Sequence, residues 1–108
     1  MTVTVLKSKL HRIKVTESNL DYEGSLTLDP DCMEAVGIVP YEKILVADVE
    51  NGNRFETYAI RGERGSRICC LNGAAAHMGR VGDRLIVMAF AQMPPEEAEG
   101  FVPSVLRF

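Results

Sequence analysis

The sequence predicts a mainly β domain: a small barrel of short strands, rather than an open sheet, with one or two short helices. Three observations lead there. Apolar residues alternate, or come in brief runs, between clusters of turn residues, and the best helical stretch covers about two turns. Asn51-Gly52, the strongest short hairpin signal, separates two such runs. The chain has 108 residues, 46% hydrophobic and 25% charged, which suits one globular domain, residues 1–108, and excludes disorder.

The elements follow in chain order. Residues 2–6, Thr-Val-Thr-Val-Leu, read as a β pattern, and Leu10, Ile13 and Val15 extend that segment with imperfect alternation. Asn19 to Ser25 is rich in Asn, Asp, Gly and Ser and reads as a turn, and a short strand follows at Ser25 to Leu28. Asp29 as cap, Pro30 at the first helical position and Gly37 as terminator frame a helix over Asp31 to Val36. Residues 43–49 form a strand rich in β-branched side chains, and Arg54 to Ile60 return from the hairpin. On the returning strand Arg54, Glu56, Tyr58 and Ile60 share one face, and Phe55, Thr57 and Ala59 the other. Gly62 and Gly65 bracket a turn before a strand at 66–71. Asn72 to His77 is a loop entering one helical turn. Val81-Gly82-Asp83 turns into an apolar strand, Leu85 to Phe90. Met93 to Glu96 breaks it, and Phe101 to Leu106 is a last extended piece.

Twelve basic against fifteen acidic residues give a net charge of −3, which argues against a nucleic-acid surface. The longest apolar run, Leu85 to Ala91, is far short of the ~20 residues a bilayer span needs. Three cysteines, two of them adjacent, read as reduced thiols and a cytoplasmic protein. Cys32, Cys69, Cys70, His11 and His77 show no metal-ligand spacing, so no metal is expected, and the cysteines read as small core residues. Gly62 to Gly65 and Asn72-Gly73 lack the lysine of a phosphate loop. Taken singly, Gly24-Ser25 is an ordinary hairpin corner. Arg54 with Tyr58, and Lys9 with His11, are pairs on strand faces.

Taken together and in order, these pieces are specific. Lys9-Leu10-His11-Arg12, Tyr22-Glu23-Gly24-Ser25, Arg54-Phe55, Thr57-Tyr58-Ala59-Ile60, Glu63 to Arg67, Asn72 to His77 and Val81-Gly82-Asp83 run nearly the length of the chain. In this set the chain resembles the bacterial pyruvoyl-dependent aspartate 1-decarboxylases. It departs from them mildly, in a shorter C-terminal tail and in Cys69-Cys70 where aliphatic residues are usual.

The resemblance implies a double-psi β-barrel, a homotetramer, and conversion of L-aspartate to β-alanine and CO₂ for pantothenate and coenzyme A synthesis. It implies a covalent pyruvoyl cofactor made from Ser25, with no metal and no pyridoxal phosphate. Ser25 attacks the carbonyl of Gly24, the peptide becomes an ester, β-elimination leaves a dehydroalanine, and hydrolysis releases ammonia. The products are a short chain, 1–24, and a long chain, 25–108. Thr57 is the implied oxyanion donor in that step. In turnover, the pyruvoyl group on residue 25 forms a Schiff base with the substrate amine and acts as electron sink. Tyr58 is the implied proton donor. Arg54 clamps the side-chain carboxylate of aspartate. Lys9 is a second cation at the site, and Thr57, Asn72, Gly73, Ala74 and Ala75 line the pocket. No nucleic acid, membrane or particular maturation partner is implied. The competing readings are an unprocessed homologue and a non-enzymatic barrel acting as a binding or regulatory module. The latter has no need of Gly-Ser together with Arg54 and Tyr58.

Overall fold

The computed structural model describes residues 1–108. Eight strands form one sheet: β1 (Val3–Lys14), β2 (Glu17–Asn19), β3 (Ser25–Leu28), β4 (Lys43–Asp48), β5 (Arg54–Arg61), β6 (Cys69–Asn72), β7 (Arg84–Met93) and β8 (Ser104–Arg107). Helix α1 spans Pro30–Val36, a 3₁₀ turn spans Gly73–His77, and helix α2 spans Pro95–Ala98. The strand order is β2-β6-β3-β5-β4-β7-β1-β8. Only Val15 and Thr16 separate β1 from β2, so the ladder that leaves β1 through β7 returns to the same stretch of chain through β2. The Thr16 N–H donates to the Cys69 carbonyl at 2.9 Å and completes the closure. The result is a barrel of mixed parallel and antiparallel pairs, in agreement with the expected double-psi arrangement.

Eighteen buried apolar residues fill the interior, among them Leu10, Leu26, Leu28, Ile44, Val46, Leu71, Leu85 and Val87. Burying such side chains removes about 1.5–3 kcal/mol each of exposure cost, the main term holding a chain this short. All three cysteines are free and buried, as expected of small core residues. The imperfect alternation of the first strand has a physical cause. β1 is one twelve-residue strand with register shifts at Leu6/Ser8 and at His11/Ile13, and Arg12 takes φ +68° at the second.

α1 is built as its sequence predicts. Asp29 Oδ1 accepts from the Asp31 N–H at 2.9 Å, Pro30 opens the helix, and Gly37 closes it at φ +77°. The same carboxylate accepts from the N–H groups of Gly65 and Arg67. Burial alone would raise the Asp29 carboxyl. The donors of Arg67, Asp31 and Gly65 outweigh burial and hold it below the usual carboxylate range. Asp29 therefore recruits residues 65–67 into a turn, and the strand expected at 66–71 is confined to Cys69–Asn72. The final strand begins at Ser104 rather than Phe101, and the break after Met93 contains a single helical turn, α2. The Asn51-Gly52 hairpin joins antiparallel β4 and β5 as expected, with Gly52 at φ +76°.

Candidate active site

Ser25 opens β3 and lies against the last residue of β6. The antiparallel register pairs Ser25 with Asn72 and Thr27 with Cys70. Ser25 and Asn72 are both almost completely buried, at 1% and 2% exposure. Asn72 Nδ2 donates to Ser25 Oγ at 3.1 Å and to Thr27 Oγ1 at 2.7 Å. The Cys70 thiol reaches Asn72 Oδ1 at 3.2 Å. Burial raises the pKa of this thiol, so it stays protonated and able to donate. Both polar ends of the Asn72 amide are thus used inside the barrel, and the Ser25 hydroxyl is held in one place.

The backbone at this point is unusual. Ser25 has φ +108°, well outside the left-handed region that Arg12, Tyr41 and Arg67 occupy at +59° to +68°. A residue with a Cβ adopts such a value rarely, at a cost on the order of 1–3 kcal/mol. Gly73 crowds the same turn. At φ +61°, a Cβ on it would fall 2.6 Å from the Gly24 nitrogen and 2.7 Å from the Tyr22 carbonyl oxygen. Only glycine lets the start of the 3₁₀ turn press on the backbone before Ser25.

Two cavities meet Ser25. One, of about 260 Å³, includes Gly24, Ser25, Thr57, Ala74 and Ala75 in its lining. The other, the largest cleft at about 590 Å³, includes Tyr22, Glu23, Ser25, Tyr41, Tyr58 and Arg61. β5 feeds both through its period of two: Thr57 points to the inner cavity while Tyr58, on the opposite face, lines the outer cleft. Tyr58 is 38% exposed, with its ring 6.2 Å from that of Tyr41.

One chain thus gathers Gly24, Ser25, Thr57, Tyr58, Asn72, Ala74 and Ala75, with Gly73 as the backbone support. It does not gather Lys9 or Arg54. Neither residue lines a cavity that Ser25 lines. Arg54 shares the face of Tyr58, but four residues of strand put it about 13 Å away. Neither cation makes an ion pair. Two residues beyond Lys9, His11 buries an Nδ1 that has no partner. Burial, then the charges of Lys9, Arg12 and Arg107, keep its pKa low. Sequence reasoning missed Thr27, Cys70 and Tyr41, whose parts depend on cross-strand register and loop packing.

Fold and site together define a small β-barrel with one buried, backbone-strained serine of its own chain where two cavities meet. The aspartate decarboxylase family model matches residues 1–108. Aspartate 1-decarboxylase of Clostridium botulinum strain 657 is 52% identical over 106 residues, covering 98% of this chain and 84% of that protein. The protein of that name from Clostridium kluyveri strain ATCC 8527 is 53% identical, with the same coverage. The one from Ruminiclostridium cellulolyticum is 52% identical over 98% of this chain and 83% of its own. The chain belongs to the aspartate decarboxylase family. No helix is long and apolar enough to cross a membrane.

Proposed function

We propose that this protein decarboxylates L-aspartate to β-alanine and CO₂, in the cytoplasm and as a supply for pantothenate and coenzyme A synthesis, after cleaving itself between Gly24 and Ser25. The observation that carries the reading is a serine at φ +108°, 1% exposed, with its hydroxyl held by Asn72 directly after a glycine. A fixed hydroxyl beside a strained peptide favours the shift in which Ser25 Oγ bonds to the Gly24 carbonyl carbon and the C–N bond breaks. The nitrogen takes up the proton, leaving an ester and a free amine. Elimination across Cα–Cβ of residue 25 then releases the Gly24 carboxylate, and water displaces ammonia. Thr57 lines the cavity beside Gly24 and is suited to donate to the oxyanion formed in the first step.

A pyruvoyl group at residue 25 fits these surroundings: it would replace a side chain already walled by Asn72 on one side and open to the large cleft on the other. When formed, it supplies the electron sink that α-decarboxylation needs. The chain's own residues do the rest. Tyr58, on the cleft wall, holds a phenolic proton to return to the substrate α-carbon. Arg54 offers an unpaired fork for the side-chain carboxylate that aspartate keeps, and clamping the departing carboxylate would favour the ground state instead. Lys9 adds a second free cation.

Because Arg54 and Lys9 stand away from Ser25 within one chain, the complete site belongs to an assembly, which we take to be a homotetramer with sites at subunit boundaries. Exposed Tyr22, Tyr41, Phe90, Phe101 and Val102 supply apolar surface for such contacts. The test is the intact mass of purified protein together with β-alanine production. A fragment of residues 25–108 with a blocked N-terminus is expected. Decarboxylation by a chain that stays uncut defeats the reading.

A further inference from the structure

We propose that the cleft between the Arg12 bulge of β1 and the turn that carries Arg67 binds a small molecule bearing a diphosphate group. The cleft holds about 500 Å³. Four cations line it, Arg12, Lys14, Arg67 and Arg84, together with Phe108 and no acidic side chain. A hollow of that size suits a small ligand. None of these residues lines a cavity that Ser25 lines, so the cleft is separate from the site that carries the proposed function.

Two backbone devices place the cations. The register of β1 on β7 pairs His11 with Ile86 and Ile13 with Leu85, so Arg12 is the extra residue of the bulge. Leu10 and Ile13 both stay buried across it, and Arg12 and Lys14 face outward on either side of Ile13. Arg67 is fixed through its main chain. At φ +59° its N–H donates to Asp29 Oδ2 at 2.8 Å. The buried carboxylate is thus served by backbone, and the Arg67 guanidinium is left free for the cleft.

Charge points to the occupant. Arg84 is balanced by Glu50 at 2.7 Å. Arg12, Lys14 and Arg67 make no ion pair, so the cleft keeps three positive charges on a chain whose net charge is −3. Like charges gathered round one hollow repel, and an anion between them reverses the sign of the interaction. Arginine forks match phosphate oxygens two at a time. A single phosphate ester carries about −1.5 to −2 near pH 7, which leaves positive charge over, whereas a diphosphate matches three cations. An adjoining hollow of about 420 Å³ shares Arg67 and Phe108 and adds Arg107. Its acids are already engaged, Asp29 by three backbone N–H groups and Asp31 by Arg64 at 2.6 Å. With the half-exposed ring of Phe108, it offers room for an organic group carried on the phosphates.

The experiment is calorimetric titration of the purified protein near neutral pH with sodium pyrophosphate and, separately, with ADP, in about 100 mM NaCl to screen loose surface attraction. One ligand per chain is expected, with a Kd of about 0.1 mM or tighter. At about 100 times that Kd, Tm should rise by about 4 °C or more over a control of equal ionic strength in NaCl. ADP binding tighter than pyrophosphate supports an organic diphosphate seated against Phe108, and equal binding supports recognition of the diphosphate alone. The double variant Arg12→Gln, Lys14→Gln should bind at least about tenfold more weakly. Arg80→Gln removes an unpaired cation that lines no cavity and should bind as wild type does. Should the double variant not fold, Lys14→Glu at an exposed position serves the same comparison. Wild type that binds neither probe, a double variant that binds as tightly, or Arg80→Gln that loses as much overturns the site. Self-cleavage and decarboxylation are not read in this assay, so the outcome is independent of the proposed function.

Discussion

The interior around Ser25 and the outward face of β5 are neighbours with opposite character. Around Ser25 the side-chain hydrogen bonds of Asn72 close within one chain, through Thr27, Cys70 and Ser25 itself. On the face of β5, Arg54 is exposed and unpaired, and Tyr58 stands in an open cleft. The inner region is built to hold one hydroxyl still against a strained peptide, and its parts are all present in a single chain. The outer region has the functional groups to hold and protonate a dicarboxylate, but not the enclosure. Under the proposed function, cofactor formation rests on the inner region, and turnover on the outer region together with a partner subunit. Substitutions that affect one region and spare the other test this division.

Ser25→Ala carries the largest expected effect. Removing the nucleophile should leave one uncut chain, with β-alanine formation lost entirely. Electrophoresis under denaturing conditions and an activity assay check both halves. The barrel itself should survive, because the closed ladder and the apolar core do not depend on the hydroxyl. A cut Ser25→Ala chain would remove the inner region from the reaction.

Tyr58→Phe comes next and separates the regions most directly. The ring that lies beside Tyr41 is kept and only the hydroxyl is lost. Self-cleavage should proceed as in wild type, while turnover falls by roughly 10²–10⁴-fold, the usual worth of a positioned acid. Single-turnover kinetics that follow CO₂ and β-alanine separately should show prompt CO₂ and delayed β-alanine. β-Alanine at the wild-type rate would reduce Tyr58 to a packing residue.

How much of this division is legible in the sequence depends on the range of the interaction. The two faces of β5 follow from its period of two, the hairpin from Asn51-Gly52, and α1 from Asp29, Pro30 and Gly37. All of these are local chemistry, and all stand in the structure. The meeting of Ser25 and Thr27 with Asn72 is different. It depends on the register of β3 against β6, strands separated by α1 and a hairpin, and no local pattern encodes that register. The family resemblance supplied Asn72 as a pocket residue, whereas the placement of its amide between two hydroxyls and a thiol needed the fold.

Arg54→Ala should leave self-cleavage intact and lower kcat/KM for aspartate by about 10²-fold, the scale of a lost carboxylate clamp. Its sharper use is in mixing. If Ser25 of one subunit works with Arg54 of another, co-expressed Arg54→Ala and Ser25→Ala chains should form mixed assemblies that regain part of the activity, though each alone is impaired. Light scattering should show about four times the 11.9 kDa chain mass in these mixtures. No recovery in well-formed mixed tetramers would mean that Arg54 serves the Ser25 of its own chain, and the outer region would then be complete without a partner.

Asn72→Ala carries the smallest effect and probes the inner region without removing its nucleophile. The substitution deletes the donor at 3.1 Å from Ser25 Oγ and 2.7 Å from Thr27 Oγ1, and leaves both hydroxyls free to rotate. Losing one such hydrogen bond costs about 1–1.5 kcal/mol, so self-cleavage should slow by about tenfold rather than stop. Turnover by the fraction that has cleaved should fall less, because Tyr58 and Arg54 lie on the other face of β5. The measurement is the fraction of cut chain over time by mass spectrometry, with activity normalised to cut chain. Thr27→Val serves as control: it removes the other hydroxyl that Asn72 bonds but leaves the amide facing Ser25, so cleavage should stay within a few-fold of wild type. If Thr27→Val slows cleavage as much as Asn72→Ala, the network acts by holding β3 against β6 as a whole. If Asn72→Ala alone is slow, the amide acts on the Ser25 hydroxyl itself, and the division between the two regions holds at the level of a single hydrogen bond.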